Sequence, residues 1–364
     1  MGQPLDKQLA LFYGKFVQAA YTMFRRDPSQ LRPEPQPGDI PEGWELGAWI
    51  HMSDFILNLK EPEFYGVVCR KIDSPDTRII AIRGTEGAIE WIDDAAALPT
   101  PFRQVPHTGR VAGGFDRIYS SLKVVKRRLA EDRAVAAAAT GVAAAPETFE
   151  GSFAEQLDQV ATSRELARGR RRLVDEPRPP RPMVVTGHSL GSALATLFVM
   201  ENASKKKFDI TTSCTFASPR VGTLEFARAF DLLPINSWRI VNTLDAVPKL
   251  PPHIPVVLEY DHVDTAYPFK SSDFAKNSLV CWHAMETYLH WLDANYACGR
   301  NVSRSGLTAQ CLAQCPTEQL QKFSKGALGL WLVVNRTVGR SPAVVGVLVG
   351  FAFVFSAPAL ESFV

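Results

Sequence analysis

Residues 187–191 read GHSLG and place a serine between two glycines. The apolar run 183–185 before them predicts a short buried strand, and the small and leucine residues at 190–197 predict a helix. On a strand-to-helix turn, this pattern is typical of a nucleophilic serine, because side chains at the glycine positions would clash. The N-terminus of the helix would stabilise an anion formed beside Ser189. The alternative is that these residues merely cap a buried helix.

A nucleophilic serine needs a base to accept its proton and an acid to orient that base. In hydrolases built on a parallel sheet, the order along the chain is serine, acid, histidine. Asp245 follows the apolar run 238–241, and Pro248 ends regular structure soon after it. Asp245 is therefore the favoured acid. The alternative is that Asp245 is an ordinary turn aspartate. In that case Asp261 and Asp264 are the later candidates for the acid.

Four histidines lie downstream of Asp245 and are candidates for the base: His253, His262, His283 and His290. His253 and His262 follow Asp245 so closely that only one short strand separates them from it. His290 comes late in a helical segment, which favours packing or a surface position. His283 opens that segment after a polar loop, and we favour it as the base.

Six motifs in this order resemble the class 3 lipase family, the fungal-lipase-like branch of the α/β hydrolases. They are Ile82-Arg83-Gly84-Thr85 with Trp91, Gly113-Gly114-Phe115, Gly187–Gly191, Phe216–Gly222, Asn242–Asp245 with Val247-Pro248, and His283 with Tyr288-Leu289-His290. The resemblance extends over residues 44 to 295. It implies an α/β-hydrolase fold, with a central, mostly parallel sheet flanked by helices. Gly113 departs from the family pattern, which has a histidine there.

The resemblance also implies a role for each residue that matches a motif. Ser189 would be the nucleophile, Asp245 the acid and His283 the base. The backbone N–H groups of Thr85 and Leu190 would form the oxyanion hole, with the Thr85 hydroxyl as a further donor. Such a site needs no metal or organic cofactor.

Residues 86–94 fall where the family has its lid. Ile89, Trp91 and Ile92 are the lid candidates, because one helical face carrying them would cover an apolar acyl site and turn outward at a lipid surface. The alternative is that these three side chains are permanently buried core.

The function that the resemblance implies is a serine carboxylester hydrolase of the triacylglycerol lipase type. Its substrate would be an acyl ester of a lipid at a membrane or droplet surface. A phospholipase A1 or galactolipase with the same triad is one alternative. A lipase-like scaffold protein without turnover is another.

Composition and element patterns agree with a folded α/β protein. Of 364 residues, 46% are hydrophobic and 21% are charged, as in globular chains. The formal net charge of +2 and the lack of a nucleic-acid motif predict no nucleic-acid partner. Alternating strand-like and helical stretches after residue 182 predict a mainly parallel sheet. Residues 5–24, with Leu9 on the apolar face, and residues 115–132 each predict an amphipathic helix.

Three segments divide the chain. Residues 1–43 hold an N-terminal helix and a proline-rich link, residues 44–300 hold the predicted lipase domain, and residues 301–364 form a tail. Within the domain, residues 134–182 are low in complexity, then basic and proline-rich. This composition predicts an exposed insertion.

The tail contains residues 341–360, a run of 20 residues without a charge, about the length that spans a bilayer core. Arg336 and Arg340 precede this run and Glu361 follows it, which is typical of an anchor inserted from the cytoplasmic face. The first residues show no basic segment before an apolar core, so we expect an intracellular protein, cytoplasmic or membrane-associated. The alternative is a tail that packs on the catalytic domain.

Overall fold

The computed structural model describes residues 3–53, 62–85, 98–129, 148–167, 181–254 and 258–293. The lid candidates Ile89, Trp91 and Ile92 lie outside these described residues, as does the apolar segment 341–360. Within the described ranges, no helix has both the length and the apolar character needed to cross a membrane.

The described residues form thirteen strands in two sheets, a mixed sheet of eight strands and a smaller sheet of five. The strands in chain order are β1 (Trp44–Met52), β2 (Glu63–Lys71), β3 (Arg78–Ile82), β4 (Pro99–Pro101), β5 (Arg110–Ala112), β6 (Lys123–Lys126), β7 (Pro182–His188), β8 (Asp209–Phe216), β9 (Gly222–Thr223), β10 (Asn236–Asn242), β11 (His253–Ile254), β12 (Leu258–Asp261) and β13 (Ala266–Phe269). The large sheet has the order β13-β10-β8-β7-β3-β2-β1-β6. Its strands are parallel from β3 to β13, and the remaining pairings are antiparallel. A smaller sheet has the order β11-β12-β9-β5-β4.

Helices cover both faces of the large sheet. They are α1 (Lys7–Arg26), α2 (Gly113–Ser121), α3 (Phe153–Ala167), α4 (Leu190–Lys205), α5 (Leu224–Asp231), α6 (Leu279–His283) and α7 (Met285–Leu292), with a 3-10 turn at Val247–Lys249. Strand β3 shows why two cores form, because alternate side chains point to opposite faces. Ile80 and Ile82 join the apolar cluster with α2, α3 and α4, whereas Ile79 and Ala81 join the cluster with α1 and α7. This arrangement confirms the predicted α/β-hydrolase fold.

Helix α1 is present as predicted, and Phe16 and Ala20 of its predicted apolar face are buried, but the buried face is wider than expected and leaves Leu9 out. The Asp6 side chain caps the helix by accepting hydrogen bonds from the backbone N–H groups of Gln8 and Leu9. The Leu9 side chain is 44% exposed, whereas Tyr13 and Tyr21 are buried. The buried face is wide because α1 packs against both the sheet and α7. Helix α1 therefore shares a core with the strands that follow.

The helix predicted over residues 115–132 is wrong for residues 122–129, because α2 ends at Ser121. Residues 123–126 form β6, which pairs antiparallel with β1. The β-branched Val124 and Val125 favour a strand, and the edge of β1 supplies backbone partners. The Gln156 side chain also accepts a hydrogen bond from the Val124 N–H, at 2.8 Å.

The prediction that residues 134–182 form one exposed insertion is wrong for residues 153–167, which form α3. Phe153, Leu157 and Val160 lie on one face of this helix and are buried. The Phe153 ring packs edge-on against Phe198 of α4, with the ring centroids 5.3 Å apart. Its apolar face therefore makes α3 a part of the core.

Replacing Leu157 by alanine tests whether α3 stabilises the fold. Because the Leu157 side chain is only 3% exposed, we expect a loss of about 2–5 kcal/mol in the free energy of unfolding. The control is Gln159→Ala on the exposed face, for which we expect a change within about 0.5 kcal/mol. Urea denaturation of both variants measures the difference, and equal, small effects would show that α3 is not part of the core.

Candidate active site

Ser189 lies on a sharp turn between β7 and α4, as the sequence predicts. Its backbone has φ 56° and ψ −126°, a conformation that non-glycine residues rarely adopt. A Cβ on Gly187 would overlap the backbone of Gly191 across the turn. A Cβ on Gly191 would in turn overlap the carbonyl oxygens of Ile82 and Arg83 at the end of β3. Glycine is therefore required on both sides of the serine.

The side chains of Ser189, His283 and Asp245 form one hydrogen-bonded line. The Ser189 Oγ is 2.8 Å from the His283 Nε2, and the His283 Nδ1 is 2.8 Å from the Asp245 Oδ2. Because a carboxylate accepts from Nδ1–H, the Nε2 keeps its lone pair and accepts from the serine hydroxyl. All three residues are buried. The arrangement can take the proton from the serine and stabilise the imidazolium that results.

Asp245 follows β10 and is held by two further hydrogen bonds. The Val247 N–H donates to its Oδ1 at 2.9 Å, and the Tyr288 hydroxyl donates to its Oδ2 at 2.7 Å. Burial, and then the charge of Asp245, raise the pKa of Tyr288 well above its ordinary value, so the phenol remains a donor. Sequence reasoning missed this function of Tyr288, although the spacing from His283 to Tyr288 was the available signal.

The other candidate bases have different partners. The His253 Nδ1 is 2.8 Å from the Tyr260 carbonyl, and the His262 Nε2 is 2.7 Å from the Pro248 carbonyl. The His290 ring lies against Phe274. Among the histidines of the described ranges, His283 is the one whose ring is hydrogen-bonded to Ser189.

The alternative acids are also separate from His283. Asp264 accepts a hydrogen bond from the Ser237 hydroxyl, and its backbone N–H donates to Asp231. Burial raises the pKa of Asp264 to about 6. Asp261 accepts from the backbone N–H of His262. Asp245 is therefore the carboxylate that the fold brings to His283.

The two predicted oxyanion-hole residues lie on either side of the elbow. Leu190 is the first residue of α4 and is fully buried. Thr85 follows Gly84, where a Cβ would come 2.7 Å from the Ser189 Cβ, so this loop packs directly against the nucleophile turn. The Thr85 hydroxyl oxygen is buried and has no hydrogen-bond partner in the part of the chain that the structure describes. Its assignment to the oxyanion hole stays a prediction.

Hydrogen bonds from the side chains of Arg220 and His262 fix the loop after Asp245. Arg220 donates from its guanidinium to the carbonyls of Lys249 and Pro251, and the His262 Nε2–H donates to the Pro248 carbonyl. Burial, and then the charges of nearby arginines, lower the pKa of His262 to about 3. His262 is therefore a neutral donor whose charged form the fold disfavours.

No cluster of three or more histidine, cysteine, aspartate or glutamate side chains suited to a metal occurs within the described ranges.

Comparison with known proteins identifies a family over the centre of the chain. Residues 79–254 match the family described as Lipase (class 3). Phospholipase A1-II 1 of Oryza sativa subsp. indica is 27% identical over 265 residues, which are 68% of this chain and 57% of that protein. Phospholipase A1-Igamma1, chloroplastic, of Arabidopsis thaliana is 26% identical over 83% of this chain and 66% of its own. The chain thus spans less than two thirds of the length of these curated relatives.

Solved structures of fungal lipases are also similar to this chain. The Lip2 lipase from Yarrowia lipolytica has a TM-score of 0.49 and 18% identity, over 74% of this chain and 81% of that chain. The Rhizomucor miehei lipase in its propeptide complex has a TM-score of 0.47 and 21% identity, over 75% of this chain and 71% of its own.

The neutral state of His262 predicts how stability depends on pH. In the unfolded chain a histidine binds a proton below about pH 6.5, whereas folded His262 resists protonation down to about pH 3. Between these values the unfolded state binds more protons, so His262 destabilises the fold as the pH falls. His262→Gln removes this effect and keeps a donor for Pro248. We expect wild type to lose its stability advantage over this variant between pH 7 and pH 4 in urea denaturation. If the free energies of unfolding of the two proteins differed by a constant amount over that range, the lowered pKa of His262 would be contradicted.

Proposed function

Residues 79–254 belong to the class 3 lipase family, and from this premise we propose that the protein is a serine carboxylester hydrolase that cleaves acyl esters of lipids. The observation that carries the proposal is the line of hydrogen bonds from Ser189 through His283 to Asp245. Three buried polar groups held at these distances are suited to nucleophilic catalysis and are not needed to stabilise a helix.

The proposed reaction has two stages. His283 takes the proton of Ser189, whose oxygen attacks the ester carbonyl, and the oxyanion is stabilised by the N–H groups of Thr85 and Leu190. His283 then protonates the leaving alcohol, and an acyl-enzyme remains on Ser189. Water, deprotonated by His283, attacks the acyl-enzyme, and His283 returns the proton to the Ser189 oxygen as the bond to the acyl group breaks and the fatty acid is released. Asp245 orients the imidazole throughout.

Two substrate classes are proposed for this site. Acylglycerols of the triacylglycerol lipase type are the first, in accord with the family. Phospholipids are the second, because the similar proteins from rice and Arabidopsis are named phospholipase A1. Both substrates present the same acyl ester to Ser189, and they differ in the alcohol that leaves.

A substrate panel distinguishes these possibilities. Emulsified triacylglycerol, diacylglycerol and phosphatidylcholine vesicles are incubated with wild type and with Ser189→Ala, and fatty-acid release is measured. We expect release by wild type alone, and the faster substrate identifies the class. Wild type that matches Ser189→Ala on every substrate would instead indicate a scaffold without turnover.

Variants of the acid test the proposed roles. Asp245→Asn should lower turnover by about 10⁴, because the amide favours the wrong tautomer of His283. Asp264→Asn is the matched control and should keep turnover near wild type, since Asp264 contacts Ser237 instead. The reverse result, with loss only in Asp264→Asn, would move the acid to the later loop.

We further propose that the segment 341–360 attaches the protein to a membrane from the cytoplasmic side. Its 20 uncharged residues and the preceding Arg336 and Arg340 support this. Attachment would raise the effective concentration of the enzyme near a water-insoluble substrate.

Deleting residues 326–364 and fractionating cells tests the membrane attachment. We expect the full chain in the carbonate-resistant pellet and the truncated chain in the supernatant, with the truncated chain still folded. A full chain released by carbonate, together with a truncated chain that does not fold, would show that the tail belongs to the core.

A further inference from the structure

We propose that Tyr21, on helix α1, is a positioning residue for this reaction, because its hydroxyl joins the oxyanion-hole loop to the backbone of the catalytic histidine. The inference rests on the proposed hydrolase function. It concerns a helix that lies outside residues 79–254, the part of the chain that matches the family. Tyr21 is buried beneath the site.

The Tyr21 hydroxyl lies between two partners that belong to different catalytic elements. It accepts a hydrogen bond from the Gly84 N–H at 2.7 Å and lies 2.8 Å from the His188 Nδ1. The His188 Nε2 is 2.8 Å from the His283 carbonyl oxygen. A carbonyl oxygen only accepts, so the His188 Nε2 carries the proton, and its Nδ1 accepts from the Tyr21 hydroxyl. The hydrogen bonds therefore run in one direction from Gly84 to His283.

This direction is maintained because His188 stays neutral. Its ring is buried beside His283, and burial, followed by the charge of His283, lowers the pKa of His188 well below its ordinary value. When His283 gains the serine proton, His188 therefore keeps its tautomer. The link between Tyr21 and the histidine backbone persists through the reaction.

Hydrogen bonds hold the two peptide units on either side of the Gly84 Cα. The Gly84 N–H is held by Tyr21, and the Gly84 carbonyl accepts from the Arg83 Nη1 at 2.8 Å. In a trans peptide, the C=O and the following N–H point in opposite directions. With the Gly84 carbonyl held by the Arg83 guanidinium, the Thr85 N–H points away from that side chain. Arg83 thus sets the direction of the predicted oxyanion donor, and Tyr21 fixes the peptide unit that precedes it.

Gly84 packs directly between the Tyr21 hydroxyl and the Ser189 side chain. A Cβ at this residue would lie 2.6 Å from the Tyr21 hydroxyl oxygen and 2.7 Å from the Ser189 Cβ. The glycine therefore occupies the whole space between the two side chains. A shift of the loop toward either of them would disturb the geometry of the elbow.

Helix α1 holds both loops by contacts other than that of Tyr21. The Phe24 ring lies under the Arg83 guanidinium, 3.5 Å from its central carbon. On α7, which follows His283, Glu286 accepts hydrogen bonds from Arg25 at 2.8 Å and from Gln18 at 3.2 Å. Helix α1 thus contacts both the residue before Gly84 and the helix that follows His283. The contribution specific to catalysis is that of the Tyr21 hydroxyl.

Tyr21→Phe removes that hydroxyl and keeps the ring, and Tyr13→Phe is the matched control. Tyr13 is a buried tyrosine earlier on α1, and its ring stacks on Trp238, which belongs to neither loop. With p-nitrophenyl butyrate as substrate, we expect Tyr21→Phe to lower kcat by about 10- to 100-fold, because a small misplacement of catalytic groups has effects of this size. KM should change little, since the hydroxyl is engaged with the Gly84 N–H and the His188 ring. Tyr13→Phe should keep kcat within about twofold.

Binding of phenylboronic acid supplies a readout that loss of stability alone would not change. The boronate forms a tetrahedral adduct with Ser189 and places an oxygen where the oxyanion would lie. Its inhibition constant should rise in Tyr21→Phe in proportion to the fall in kcat/KM, and stay unchanged in Tyr13→Phe. If Tyr21→Phe does not fold, the same measurements are made on His188→Gln, which leaves the hydrogen bond between Tyr21 and Gly84 in place.

The outcomes separate this inference from the proposed function. Wild type without esterase activity would overturn the proposed function itself. Active wild type with unchanged kcat and boronate affinity in folded Tyr21→Phe would overturn only the positioning role. An equal fall of kcat in Tyr21→Phe and Tyr13→Phe would show a general effect of α1 and would also overturn it.

Discussion

The strained turn at Ser189 is the constraint on which the rest of the site depends. A serine with φ 56° places its side chain at the tip of the turn, and this backbone is tolerated only where the surroundings fix it. Gly187 and Gly191 allow β3, β7 and α4 to approach so closely that no side chain fits between them. The close packing that excludes side chains also brings the Gly84–Thr85 loop against the nucleophile. The elbow and the Gly84–Thr85 loop are therefore one packed unit.

The acid and the base reach this unit from neighbouring parts of the fold. Asp245 follows β10, two places from β7 in the sheet, so the carboxyl ends of parallel strands bring the groups to one edge. His283 arrives from a later loop, and its position depends on side-chain contacts: Asp245 and Ser189 bind its ring, and His188 binds its carbonyl. Helix α1 contacts the Gly84–Thr85 loop through Tyr21 and the helix after His283 through Arg25. The N-terminal helix therefore helps to position the groups of the site, although it lies far from them in the sequence.

Much of the site follows from local sequence patterns, because each pattern has a local cause. The glycines of residues 187–191 indicate the elbow, and the position of Asp245 after an apolar strand indicates the acid. Contacts between distant segments leave no such pattern. Tyr21 and Gly84 are 63 residues apart, and nothing near Tyr21 in the sequence distinguishes it from Tyr13.

Two elements of the fold were predicted wrongly for related reasons. The apolar face of α3 lies between segments of biased composition, so the average over residues 134–182 concealed its helical spacing. Residues 123–126 continue the apolar pattern of α2, but β1 offers them backbone partners that a helix could not use. In both cases tertiary packing decided the structure.

Covalent labelling tests whether the fold makes Ser189 the activated nucleophile. The protein is treated with a fluorophosphonate, digested, and the modified peptide is identified by mass spectrometry. We predict a single adduct on Ser189, formed in wild type and in Ser213→Ala, which removes another buried serine hydroxyl. We also predict no adduct in His283→Ala. An adduct on another residue would show that Ser189 is not the activated nucleophile. Labelling of Ser189 that is as fast without His283 would show that His283 does not activate it.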